Sequence, residues 1–131
     1  MRLLLDTRVF LWLVYSPDRL SPASRALCEE TDTTLLLSVA SVWEMAIKIG
    51  GGKLELRHGL EELVGRQVRV NRVVVLPITL PHALRMQALP TLHKDPFDRM
   101  LIAQSIFESA PIVTSDAAVL RYGMAAVRTD R

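Results

Sequence analysis

Three observations predict an α/β fold built on a short parallel sheet with helices on both faces. Brief runs of Leu, Val and Ile, such as Leu3-Leu4-Leu5 and Val73-Val74-Val75-Leu76, lack the polar alternation of a sheet with one wet face. Stretches with helical spacing separate these runs, and strand–helix alternation is the signature of parallel sheets with crossover helices. With 131 residues, half of them hydrophobic, the chain is expected to form a single domain over residues 1–131.

The elements follow in order. Arg2-Leu3-Leu4-Leu5 reads as a buried strand that stops at Asp6, and an amphipathic helix spans residues 7–14. Ser16-Pro17-Asp18 is a turn, and Ser21-Pro22 sets a cap and an N1 proline for a helix reaching Glu30. Thr34-Leu35-Leu36-Leu37 is the second strand. A long apolar helix over residues 39–49 runs into Gly50-Gly51-Gly52, which stops it. Leu54-Glu55-Leu56 suggests a brief extended piece, and Leu60, Leu63, Val64 and Gln67 share one helical face. The third strand covers residues 73–76 and a helix spans residues 81–89. Asp95-Pro96 then opens another helix, again by cap and N1 proline, reaching about Ser109. Pro111-Ile112-Val113-Thr114 is the fourth strand, residues 117–120 a short helix, and Ala125-Ala126-Val127 a last strand.

Composition narrows the function. The net charge of +2 fits a polyanionic partner without requiring one. The single cysteine, Cys28, excludes an internal disulfide and a thiolate zinc cage, and a small buried side chain suffices to explain it. Asp6 and Arg8 split the apolar N-terminal run, which lacks the pattern of a signal peptide, and no apolar stretch approaches bilayer length. A cytoplasmic protein with no membrane association is expected.

Four acids carry the functional reading. Asp6 and Asp116 each follow a strand at its C-terminal end, where open α/β sheets place their chemistry. Each equally suits the N-cap of the helix that follows. Glu44 lies in the helix over residues 39–49, with Ser41 and Lys48 on its stripe. It reads either as half of a solvated Glu44–Lys48 pair or, given the apolar residues around it, as a buried acid that needs a partner. Asp98 falls in the first turn of its helix, where an acid supports the helix dipole. Asp95 already supplies the cap, so Asp98 is surplus. Thr7, Thr114 and Ser115 adjoin the corner acids and can orient carboxylates or simply serve turns. His93 is open to two roles, a general acid or a plain surface residue, and His58 and His82 have no supporting context.

Topology lets all four acids approach one edge of the sheet. Crowded carboxylates repel and retain protons unless a cation neutralises them. An all-oxygen donor set selects a hard divalent ion, Mg²⁺ or Mn²⁺, and such a site suits phosphodiester hydrolysis.

The chain resembles the PIN-domain ribonucleases, in particular the VapC-type toxins of toxin–antitoxin pairs. The resemblance runs from Leu3 to about Val127. Its motifs are Leu4-Leu5-Asp6-Thr7, the helix stretch with Trp43-Glu44, His93-Lys94-Asp95-Pro96-Phe97-Asp98-Arg99 and Val113-Thr114-Ser115-Asp116. It implies a three-layer α/β/α sandwich with a central parallel sheet of four to five strands. It implies Asp6, Glu44, Asp98 and Asp116 as a catalytic quartet, with Asp6, Asp98 and Asp116 holding Mg²⁺ or Mn²⁺ and Asp95 auxiliary. RNA is the implied substrate, the chain an implied homodimer, and an antitoxin whose C-terminal segment covers the acidic groove the implied partner. Lys48, Lys94 and Arg99 are the implied basic lining, meeting RNA phosphates or antitoxin carboxylates. One position departs from the pattern: where this branch usually reads Asp-Thr-His, this chain has Asp6-Thr7-Arg8. Arg8 stays protonated and cannot exchange a proton near neutral pH. Three other readings compete: a housekeeping PIN nuclease that is no toxin, a haloacid-dehalogenase-like phosphatase, and a catalytically silent acidic interaction module. The phosphatase needs a second Asp where Arg8 stands.

Overall fold

The computed structural model describes residues 1–122 and the backbone of residues 127–128. Five strands form one parallel sheet in the order β3-β2-β1-β4-β5. They are β1 Arg2–Leu5, β2 Thr34–Ser38, β3 Val74–Leu76, β4 Ile112–Thr114 and β5 Val127–Arg128. The helices are α1 Thr7–Tyr15, α2 Pro22–Glu29, α3 Val39–Gly50, α4 Leu60–Asn71, α5 Leu80–Ala88, α6 Pro96–Glu108 and α7 Ala117–Leu120. A single 3₁₀ turn, Pro17–Arg19, stands where the Ser-Pro turn is expected.

Side-chain parity along the strands builds the three layers. Leu3 and Leu5 of β1, Leu37 of β2 and Val113 of β4 point to one face, where Val9, Phe10, Met45 and Leu63 from α1, α3 and α4 cover them. Leu4, Leu36 and Ile112 point to the other, against Leu101 and Ile102 of α6 and Val119 of α7. Both faces of the central strands are therefore dry, which explains their unbroken Leu and Val content. Cys28 belongs to the first cluster, and burial pushes its thiol up to about 11, as expected of an inert core residue.

Sheet order positions the site. The chain moves outward from β1 through β2 to β3, then crosses back to lay β4 on the other side of β1. The crevice at the carboxyl ends of β1 and β4 is thus the topological switch point, where α/β sheets take their ligands. Register pairs Leu5 with Val113, and the Asp6 amide donates to the Val113 carbonyl at 3.1 Å.

Caps predicted from sequence are in place. Asp6, Ser21, Asp95 and Asp116 each accept main-chain N–H bonds in the first turn of the helix that follows, the kind of contact worth about 0.5–2 kcal/mol. Elsewhere the structure departs from expectation. Residues 54–56 form no strand; Leu54 and Leu56 instead pack on the first core cluster, so their alternation reflects anchoring rather than pairing. Of the last expected strand, Val127 lies in β5, whereas Ala125 and Ala126 fall outside the described residues.

His82, which has no sequence context, is fully buried in a polar network. Its Nδ1 accepts from the Thr79 amide at 3.1 Å and its Nε2 meets Glu108 Oε2 at 2.9 Å. Gln104 Nε2 reaches both His82 and the Pro77 carbonyl, while its carbonyl oxygen accepts from the Ser38 hydroxyl. This network ties α5 and α6 to the end of β2. His82→Leu leaves the Thr79 amide without its partner and Glu108 with Arg2 alone, so a loss of about 1–3 kcal/mol is expected in urea unfolding.

Candidate active site

Four elements deliver acids to one cleft of about 410 Å³, lined by Asp6, Glu44, Asp95, Asp98 and Asp116 together with Thr7 and Ser115. Asp6 is the deepest, 6% exposed. Its Oδ1 accepts from the Val9 amide at 2.9 Å, capping α1, and its Oδ2 accepts from the Thr114 hydroxyl at 2.7 Å across the β1–β4 crevice. Burial raises its pKa despite these donors.

Glu44 approaches from α3. Its Oε1 accepts from the Thr7 hydroxyl at 2.7 Å and its Oε2 from Lys48 Nζ at 2.8 Å. Ser41, fully buried, stands 2.9 Å from the Thr7 hydroxyl. The apolar residues of α3 do not enclose Glu44 as the sequence suggests. Trp43 and Ile47 are more than half exposed, and it is the polar stripe of Ser41 and Glu44 that turns inward. The solvated-pair and buried-acid readings merge: Lys48 stays half exposed while the Glu44 side chain is 12% exposed.

Asp98 and Asp116 meet through a histidine. His93 Nε2 lies 3.0 Å from Asp98 Oδ2 and 3.0 Å from Asp116 Oδ2. Burial pushes the Asp98 carboxyl up to about 7, reinforced by the negative charges of Asp95, Asp6 and Glu44 and opposed by His93. Asp116, nearer the rim, also feels burial. The hydrogen bonds from His93 and from the Ala118 amide outweigh it and hold its pKa below the usual value. Asp95 Oδ1 accepts from the Phe97 and Asp98 amides, so its side chain is the cap of α6.

The basic lining differs from expectation. Arg8, Lys48 and Lys53 border the cleft. Lys94 is exposed and does not line it, and Arg99 is spent elsewhere. The Arg99 guanidinium donates to the carbonyls of Met86, Leu89, Pro90 and His93 at 3.1–3.5 Å, pinning the loop that carries His93. Its five donors match a ring of carbonyls as well as they match a phosphate, and sequence cannot separate the two. Lys53 is the cation that sequence reading missed. Gly52, with φ +73°, turns the chain so that the Lys53 amide returns to the Lys48 carbonyl at 2.8 Å. The glycine run was the available signal, since it reverses the chain as well as ending α3.

The donor set fits a hard divalent cation. Carboxylates of Asp6, Asp98 and Asp116 converge, and one ligating atom from each of His93, Asp98 and Asp116 lies within 4.8 Å of the others. Burial raises the pKa of both Asp6 and Asp98, and Arg8 and His93 offset only part of that rise. The Ser115 hydroxyl on the cleft wall is buried and finds no hydrogen-bond partner among the described residues. A hydrated ion would supply what these groups lack.

A model of the PIN domain matches residues 3–123. The chain belongs to the PIN domain family. Several solved structures share its fold. VapBC2 from Rickettsia felis bound to a promoter DNA fragment aligns with a TM-score of 0.72 and 16% identity, covering 99% of this chain and 100% of that one. VapBC-1 from nontypeable Haemophilus influenzae gives 0.65 and 18%, over 99% and 98%. FitAcB from Neisseria gonorrhoeae gives 0.60 and 16%, over 98% and 97%. No curated protein sequence matches the chain significantly. In this PIN domain the acids come from β1, α3, α6 and the β4–α7 corner, and the switch point of the sheet gathers them.

A metal-free test of the crowding follows from Asp98. An acid whose folded pKa is raised keeps its proton in the folded state at pH values where the unfolded chain has lost it. Metal-free stability therefore falls as pH rises from about 4 to 7, and the lost part is absent above 7. Asp98→Asn is expected to raise metal-free stability at pH 8 by about 1–2 kcal/mol in thermal melts, with little gain at pH 4.

Proposed function

We propose that this protein is a Mg²⁺- or Mn²⁺-dependent endoribonuclease, the toxin of a toxin–antitoxin pair. The observation that carries the reading is the convergence of Asp6, Glu44, Asp98 and Asp116 on one cleft bordered by Arg8, Lys48 and Lys53. Membership of a family of nucleases and the likeness to VapBC complexes support it. An acidic floor with a basic rim suits a phosphodiester held by its neighbouring phosphates while its scissile group sits over the ion site.

Asp6, Asp98 and Asp116 would hold the ion, with Glu44 beside them. When bound, such an ion lowers the pKa of a coordinated water and offsets charge on the scissile phosphate. The chain's own residues prepare that site. Thr114 and the Val9 amide orient Asp6; Thr7 and Lys48 hold Glu44 in a single rotamer; Lys48, Lys53 and Arg8 attract and place the strand. Arg8 remains charged and contributes attraction rather than proton transfer. Thr114 acts through Asp6 and does not itself line the cleft.

The same reading includes an antitoxin segment over the cleft and a homodimer. An acidic antitoxin segment would find Arg8, Lys48 and Lys53 as partners for its carboxylates, competing with RNA for the same cations.

Purified free of antitoxin, the protein is expected to cut RNA with Mg²⁺ or Mn²⁺ and to stop when a chelator is added. Asp6→Ala and Asp98→Ala should each reduce cleavage by at least about 100-fold while the fold persists in circular dichroism. Undiminished cleavage by either variant would refute the site assignment. Absence of any divalent-ion binding in calorimetry would favour an acidic interaction module instead.

A further inference from the structure

His93 is the residue whose geometry the acidic quartet alone leaves unexplained. Every polar atom of it is engaged. Its amide donates to the Tyr122 hydroxyl at 2.9 Å, and its carbonyl accepts from Arg99. Its Nδ1 lies 3.1 Å from the Asp95 amide, and its Nε2 stands between Asp98 and Asp116. A main-chain N–H can only donate, so Nδ1 must present its lone pair there, and the ring proton of the neutral imidazole is placed on Nε2.

We propose that His93 is a positioning residue whose Nε2–H bridges the Asp98 and Asp116 carboxylates, holding them at one-ion spacing without itself ligating the metal. The inference rests on the metal-dependent reading above. At first sight His93, Asp98 and Asp116 form a mixed nitrogen–oxygen triad, since their ligating atoms lie within 4.8 Å of one another. The tautomer argues otherwise. Ligation through Nε2 needs a free lone pair on that nitrogen, which moves the proton to Nδ1 and sets it against the Asp95 amide proton. Two donors then face each other and one hydrogen bond is lost. Rotating the ring away breaks the contacts to both acids.

The arrangement also argues against His93 as a general acid. Its Nε2–H donates to Asp116 and stands 3.0 Å from Asp98, the two acids that the ion requires, so the proton is committed to orienting them. Asp98 comes from α6 and Asp116 from the β4–α7 corner, and the His93 Nε2 stands 3.0 Å from a carboxylate oxygen of each, hydrogen-bonded to Asp116. The support around the ring is correspondingly heavy: Arg99 and Tyr122 fix the loop, and the Asp95 amide fixes the tautomer.

The test uses Mn²⁺ on the full-length protein, with the wild type, His93→Ala and His93→Gln. Pulsed electron paramagnetic resonance of the Mn²⁺ form is expected to lack the nitrogen coupling of a directly bound imidazole. His93→Ala should weaken Mn²⁺ binding about 10- to 100-fold, the usual effect of losing a partner that orients a metal ligand. His93→Gln, whose amide can restore an N–H near the Nε2 position, should recover most of that affinity. Its kcat should rise well above that of His93→Ala along with the affinity, a rescue that a general-acid role would not allow. A strong imidazole nitrogen coupling that disappears in His93→Gln overturns the proposal, as does wild-type Mn²⁺ affinity in His93→Ala. Should His93→Ala fail to fold, the coupling and the His93→Gln affinity still decide. If the wild type binds no Mn²⁺, the metal-dependent reading itself fails, an outcome distinct from a bound ion with ligated His93.

Discussion

Repulsion among carboxylates at the carboxyl end of a parallel sheet is the constraint to which the rest of this structure answers. The pairing of β1 with β4 sets Asp6 beside Thr114 at the point where the sheet changes direction. Around that pair the chain assembles further acids and then supplies them with donors, of which only Lys48 at Glu44 is a lysine ammonium. Asp6 has a hydroxyl and an amide, Glu44 a hydroxyl and one lysine, Asp98 the imidazole, and Asp116 the imidazole and an amide. Neutral donors fix direction but leave most of the negative charge in place, and burial together with the neighbouring acids pushes the Asp98 carboxyl up to about 7. A site built this way is oriented and undercharged, the condition in which a small cation binds with little rearrangement.

Capping does not take Asp6 or Asp116 out of the cleft. Each places its Oδ1 on the first turn of the following helix, while Oδ2 of Asp6 accepts from Thr114 and Oδ2 of Asp116 meets His93. The helix terminus thereby immobilises a side chain that lines the cleft. Asp95 divides its work differently: its carboxylate caps α6 and its amide reads the His93 ring. A two-residue spacing between histidine and cap residue thus couples the start of a helix to the orientation of acids on two elements.

Much of this was legible in the sequence because the signals were local. Leu and Val runs without alternation gave the strands, and Ser-Pro and Asp-Pro pairs gave two helix starts to within a residue. The acids were legible from their place after strands and in first turns. What escaped depended on contacts between distant segments. Nothing near Arg99 says that its guanidinium meets four carbonyls rather than a phosphate. Nothing near His82 announces Glu108 and Gln104 as its partners, 26 and 22 residues away. The inward face of α3 is hidden in the sequence for a related reason. Its composition is apolar on nearly every side, so the choice of inward face falls to Ser41 and Glu44, which find partners on α1, and not to Trp43 or Ile47.

That orientation gives the molecule a built-in optical reporter. Trp43 stands out from α3 next to Glu44, and its indole meets Phe97 edge-on, with ring centres 5.1 Å apart. Phe97 is the residue before Asp98, on the first turn of α6. The aromatic pair therefore spans the two helices whose acids face each other across the cleft. Any change in their separation alters the surroundings of an indole that is already half in water. The second tryptophan, Trp12, lies on α1 beneath the Arg19 guanidinium and belongs to a different neighbourhood. Emission from Trp43 would thus report ion binding in the acidic cleft wherever that binding shifts α3 against α6, without an added label.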